Sequence, residues 1–100
     1  MIDLAKKNLD LDDRVQKSWS AQLGAKHGFL VLSNKKLLFI EEKGLIRMAY
    51  NLVLKILYEK IDEITVEDRK LVITDVEGTI HNFTSSFASR IETTLRNRIK

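Results

Sequence analysis

The chain has 100 residues, the length of one ordinary domain, and 44% of them are hydrophobic, which is enough for a single core. It contains no cysteine, which excludes disulfides, thiolate metal sites and a cysteine nucleophile and favours a reducing, cytoplasmic compartment. The formal net charge of +3 is too small to indicate nucleic-acid or membrane binding by itself.

The first part of the chain divides into a polar start and a strand. Residues 1–13 mix leucines with lysines and aspartates, and we expect an N-terminal arm or a short helix before a domain of residues 14–100. From Val15 to Leu23 a mainly apolar side alternates with a polar side of serines and glutamines, which predicts a half-buried strand. We expect Trp19, the single tryptophan, to belong to the core.

A hairpin follows. Two apolar runs, Phe29–Leu32 and Leu37–Ile40, flank Ser33-Asn34-Lys35-Lys36. Asn tolerates the left-handed backbone of tight turns, and Ser and Asn side chains bond the local backbone, so the segment predicts two strands joined by a turn.

The segment from Ile46 to Tyr58 fits two periods. Its even positions are all apolar or aromatic, as in a strand, but a helical spacing fits as well. The hairpin context favours a strand. Such a strand would be roughly 43 Å long, so we expect a bend or bulge near Tyr50-Asn51.

Three shorter strands and a helix complete the chain. Residues 61–66, 71–75 and 79–83 predict strands, the last two joined by Val76-Glu77-Gly78, which gives a meander of about seven antiparallel strands. After Ser85-Ser86 the period changes, and an apolar stripe predicts an amphipathic helix that closes the strands as a lid. The stripe consists of Phe87, Ile91, Leu95 and Ile99.

This order of elements resembles the pleckstrin-homology (PH) superfold. Val31–Phe39 resembles a leucine-threonine-asparagine-lysine-arginine-leucine segment of small bacterial and archaeal PH-like and GRAM-like domains, with Ser33 for Thr and Lys36 for Arg. Ile56–Ile61 is similar to their isoleucine-proline-tyrosine-x-x-isoleucine element, with Leu57 for Pro. The resemblance implies a mainly β, PH-like barrel of two bent sheets capped by one C-terminal amphipathic helix.

The residues give no sign of catalysis. Neither histidine has a metal-ligand partner at a helical or turn spacing, and there is no nucleophile–base set and no glycine-rich phosphate loop. We therefore expect no enzyme activity, no cofactor and no metal. The helix arginines lack interleaved aromatic residues, which disfavours nucleic acid as a partner.

The resemblance implies a binding module with two alternatives for its partner. The first is protein–protein interaction or self-association in the cytoplasm, through a strand edge or the groove beside the helix. The second is a peripheral membrane adaptor that binds anionic lipid headgroups, although the strand Phe29–Leu32 lacks the paired basic residues of the lipid-binding pattern. The candidate ligands for headgroups are Lys17, Lys26, His27, Lys35 and Lys36.

Overall fold

The computed structural model describes residues 1–44 and 46–99. Lys100, the last residue of the predicted domain, lies outside them. The elements within the described residues are α1 (Ile2–Lys7), β1 (Val15–Leu23), β2 (Lys26–Ser33), β3 (Lys36–Lys43), β4 (Ala49–Leu57), β5 (Ile61–Glu67), β6 (Lys70–Asp75), β7 (Ile80–Thr84) and α2 (Ala88–Ile99), with a short 3-10 helix, Tyr58–Lys60, between β4 and β5.

The strands form one antiparallel sheet in the order β4-β3-β2-β1-β7-β6-β5. The prediction of seven antiparallel strands and a C-terminal helix is thus confirmed. The predicted closure into a barrel is not, because β4 and β5 remain as the two edges of the sheet. The strands also do not divide into two separate hydrogen-bonded sheets. β1 pairs with β7 at two positions, Gln22↔Thr84 and Leu23↔Phe83, and this pairing joins the two halves of the sheet.

The main core lies between the inner face of the sheet and α2. Phe39 and Phe83 pack at its centre, with their ring centroids 5.9 Å apart. From α2, Ile91 and Leu95 are completely buried and Ile99 packs against the core at partial exposure. Phe87 departs from the predicted stripe: it precedes the helix, and 38% of its surface is exposed.

A second apolar cluster lies on the outer face of the sheet. Val31, Leu38 and Ile40 are fully buried there beneath Ala5 of α1, together with other side chains of the N-terminal segment. Both faces of β2 and β3 are therefore covered, which explains why their sequences are continuous apolar runs rather than alternating ones.

Most of the segment with two possible periods is a strand, as predicted from its context: β4 covers Ala49–Leu57, residues 46–48 precede it, and Tyr58 begins the 3-10 helix. The irregularity lies further along than expected, because Phe39 pairs with Leu54 while Ile40 pairs with Leu52. Val53 is thus the extra residue of the ladder, rather than the predicted Tyr50-Asn51.

Candidate functional site

The turn between β2 and β3 is held by a buried carboxylate. Asp13, only 3% exposed, accepts hydrogen bonds from the Ser33 hydroxyl at 2.9 Å and from the Asn34 main-chain N–H at 2.8 Å. The Ser33 hydroxyl oxygen in turn accepts the N–H of Lys36 at 3.0 Å. The residue types that predicted a hairpin are therefore used to fix the turn against the N-terminal segment.

The same turn is joined to the segment after β4. The Tyr58 hydroxyl donates to the carbonyl of Ser33, and the Tyr58 N–H donates to the carbonyl of Lys35 at 3.0 Å. Burial is the main cause that raises the pKa of the Tyr58 phenol, which keeps it protonated as a donor. The two segments that carried the sequence resemblance thus bind one another, which gives them a role in folding.

Both lysines of the turn have structural partners. The Lys35 ammonium contacts the Asp12 carboxylate at 2.9 Å, and its hydrogen bond to Asp12 raises the Lys35 pKa above its ordinary value. Lys36 is 8% exposed, and its ammonium donates to the carbonyl of Asn8 at 3.0 Å. These cations therefore hold residues 8–12 in place instead of projecting freely towards a ligand.

The other three predicted ligands do not join them. Lys26 and His27 are the first two residues of β2 and are exposed, at the opposite end of that strand from Lys35 and Lys36. Lys17 is exposed on β1 and lies in a groove beside α2. The five residues are thus dispersed over three places, and the structure brings together only pairs that are adjacent in sequence.

A cleft of about 480 Å³ lies beside the second half of β4. Its three lysines, Lys36, Lys55 and Lys60, are opposed by three acids, Asp10, Asp75 and Glu77. Two of its polar groups, Asp75 and His81, are also hydrogen-bonded to each other. The cleft has no strong preference for an anion.

Asp75 and His81 form the most defined polar contact of this cleft. His81 Nε2 lies 3.1 Å from Asp75 Oδ2, and Asp75 Oδ1 accepts the main-chain N–H groups of Glu77 and Thr79 at 2.9 and 3.0 Å. The hydrogen bond from His81 is the main cause that lowers the Asp75 pKa. The pair was not predicted from the sequence, although Asp75 just before a glycine-containing turn is a signal for this kind of side-chain bond.

The two edges of the sheet differ in what their strands present. β4 has nine residues with one charged side chain, Lys55, and Tyr50 and Leu57 are exposed along it. β5 has seven residues with three acids, and Arg96 of α2 donates to the main-chain carbonyl of Ile64 at 2.6 Å. β4 is therefore the open edge, and β5 is a charged edge that the helix partly occupies.

The described residues contain no group of three or more His, Cys, Asp or Glu side chains placed to hold a metal ion. Among residues 1–44 and 46–99, the helices lack the length and hydrophobicity of a membrane-spanning segment.

The family model described as "Bacterial PH domain" matches residues 9–99. The chain belongs to the bacterial PH domain family. The sequence resemblance to PH-like domains is thereby confirmed, and the match begins within the N-terminal segment that contributes Asp12 and Asp13 to the turn. PH domains are generally non-catalytic binding modules.

A solved structure has the same fold as this bacterial PH domain. It is the crystal structure of the C-terminal domain of an unknown protein from Leishmania infantum, with a TM-score of 0.66 and 17% sequence identity. The similarity covers 97% of this chain and 88% of the other, and at this identity it concerns the fold alone. No curated protein matches the chain.

Proposed function

We propose that this bacterial PH domain is a non-enzymatic interaction module that pairs with a second copy of itself through the outer edge of β4. The observation that carries the proposal is the nine-residue open edge with a single charge. An unpaired edge offers a row of main-chain donors and acceptors to another strand, and natural proteins usually protect such an edge with charges, proline or short length.

The β4 edge has little of that protection. The chain contains no proline, and Lys55 is the one lysine along the strand. Its protective feature is the irregularity at Val53, which separates two regular stretches of the ladder. Exposed Tyr50 and Met48, at 39% and 51%, add apolar surface at its start. Pairing of two such strands would satisfy main-chain groups and cover this surface together.

The acidic β5 edge determines whether the chain would form a closed dimer or a filament. Because β5 carries Asp62, Glu63 and Glu67, two β5 edges would repel each other. A chain with one open edge pairs once, so the expected product is a closed two-fold dimer rather than a filament.

Matched charges on the two edges test the proposal. Asn51→Lys places a second lysine on the exposed part of β4, and Thr65→Lys places the same residue on exposed β5. In sedimentation experiments we expect dimers for the wild type and Thr65→Lys, with association at least about tenfold weaker for Asn51→Lys, a change of about 1.4 kcal/mol. Circular dichroism shows whether both variants remain folded.

Cross-linking gives a second readout in this cysteine-free chain. Single cysteines at Asn51, Val53 and Lys55 scan the β4 edge, and a cysteine at Thr65 is the control on β5. We expect oxidation to link at least one β4 variant much faster than the control. Monomers at high concentration together with no preferential β4 cross-link would contradict the proposal.

Peripheral binding to an anionic membrane is the second candidate, on a different surface from the five predicted ligands. It is favoured by the tip between β3 and β4, where Ile46 is fully exposed beside Arg47 and close in sequence to Lys43. An apolar residue among cations suits an interface of acyl chains and anionic headgroups. Co-sedimentation with phosphatidylserine vesicles should fall for Ile46→Asp and stay unchanged for Val76→Asp, a matched exposed apolar site; equal vesicle binding by both would contradict it.

A further inference from the structure

A groove of about 500 Å³ lies between β1 and α2. The helix follows the strand: the Ser85 hydroxyl, just before α2, donates to the carbonyl of Ser20 at 2.8 Å, and Arg98 near its end donates to the Gln16 side chain. On this side β1 pairs with β7 at Gln22 and Leu23, and no other strand of the described residues covers the middle of β1. The groove is lined by Lys17, Trp19, Ser89, Arg90, Thr93 and Thr94.

The charges in the groove have one sign. Lys17 and Arg90 are exposed cations, and among the residues that the structure describes no acid lines the groove with them. Within residues 1–44 and 46–99, neither side chain forms an ion pair. Glu92, the acid of α2, instead binds Arg96 at 3.0 Å, and Arg96 also lines the cleft beside β5. The groove thus attracts carboxylates and has no internal acid to satisfy its cations.

The remaining lining residues favour an apolar contact between the two charges. Trp19 packs against the core at partial exposure and also lines the groove. The Thr93 and Thr94 hydroxyls donate to the carbonyls of Ser89 and Arg90, at 3.1 and 2.9 Å, which commits them to the helix. The groove therefore combines an aromatic surface with two cations.

We propose that this groove binds an extended acidic segment of a partner protein, independently of the β4 edge. Two carboxylates of the segment pair with Lys17 and Arg90, and an apolar side chain between them packs on Trp19. The uncovered middle of β1 suits an extended chain, which can add main-chain contacts beside the strand. One aromatic residue and two cations are few for a nucleic acid, whose binding grooves combine a basic track with several stacking residues.

The single tryptophan lies in the groove, so its fluorescence reports binding directly. The probe is a peptide of about ten residues that repeats Glu-Ser-Leu-Ser, a pattern that places the Glu and Leu side chains together on one face of an extended chain and the Ser side chains on the other. Its control has Gln in place of Glu. We expect the Glu peptide to change Trp19 emission in a saturable manner and to bind at least about tenfold more tightly than the Gln peptide.

Variants then locate the binding. Arg90→Glu should lower the affinity for the Glu peptide at least about tenfold, whereas Arg90→Lys should keep most of that affinity. Lys55→Glu, which makes the same charge change on the β4 edge, should have no effect and also shows that net charge alone does not explain the loss. Equal binding of both peptides, an unchanged affinity for Arg90→Glu, or tighter binding of a single-stranded oligouridine than of the Glu peptide would overturn the proposal.

Discussion

β4 and β5 are the two edge strands of the same antiparallel sheet, yet the surfaces that they expose differ in charge and in cover. β4 is longer, carries one charge and has exposed Tyr50 and Leu57. β5 carries three acids, and Arg96 of α2 binds the carbonyl of Ile64. Because a sheet edge always has unpaired main-chain groups, this difference shows that the fold protects one edge and leaves the other available.

The comparison also assigns two roles to α2. Its buried side chains complete the main core, and Arg96 binds a main-chain carbonyl of the β5 edge. Loss of α2 should therefore lower the stability of the fold and expose the β5 edge at the same time. Loss of the Arg96 side chain alone should expose the β5 edge with little effect on stability.

The largest expected effect comes from Leu95→Asp. Leu95 is fully buried under α2, and the variant would place an unpaired carboxylate in the core, at a cost of about 3–5 kcal/mol in the free energy of unfolding. We expect a large fall in the midpoint of thermal unfolding and the appearance of aggregates, because β5 loses its cover together with the helix.

Asn97→Asp is the control for Leu95→Asp, since it introduces the same carboxylate at an exposed position of the same helix. Its unfolding midpoint should stay close to that of the wild type. An unchanged midpoint for Leu95→Asp would show that α2 does not complete the core.

The fold was accessible from the sequence where local patterns determine it. Alternation from Val15 to Leu23 and the turn residues Ser33-Asn34 predicted elements that the structure contains. The open sheet and the cover of Val31 by Ala5 could not be predicted in this way. They depend on contacts between distant segments, for which a period of two or of 3.6 carries no signal.

The candidate ligands show the same limit. Lys35 and Lys36 were correctly seen as cations in a turn, but their partners Asp12 and Asn8 lie 23 and 28 residues away. Conversely, Lys17 and Arg90 line one groove from the two ends of the chain. Charge can be read from a sequence, whereas the convergence of charges requires the fold.

A smaller effect is expected at Gly44, in the turn that leads into β4. Its φ is +111°, and a Cβ there would lie 2.1 Å from the carbonyl oxygen of Arg47. Gly44→Ala should lower the free energy of unfolding by about 2–3 kcal/mol, because backbone strain adds to a steric clash between the new Cβ and backbone atoms. Urea unfolding measures the cost, and sedimentation should show weaker pairing through β4.

Gly24→Ala provides the comparison for that turn. Gly24 also has a positive φ, +62°, but a Cβ there would have nothing within 4 Å. We expect Gly24→Ala to lower the free energy of unfolding by about 1 kcal/mol, from the left-handed backbone alone. Pairing through β4 should stay unchanged. Equal costs for the two variants would mean that the contact with Arg47 is relieved by a small movement of the turn.

The smallest effect on stability should follow Arg96→Ala, which tests whether the contact of Arg96 with the Ile64 carbonyl protects the β5 edge. The variant leaves the Ile64 carbonyl to water and removes an exposed ion pair, so we expect a loss of about 1 kcal/mol or less. Glu92→Gln removes the same ion pair and leaves Arg96 able to bind Ile64. Sedimentation should therefore detect species larger than a dimer for Arg96→Ala and not for Glu92→Gln. If both variants behave alike, the acids of β5 are sufficient to protect that edge, and the contrast with β4 rests on charge rather than on the arginine.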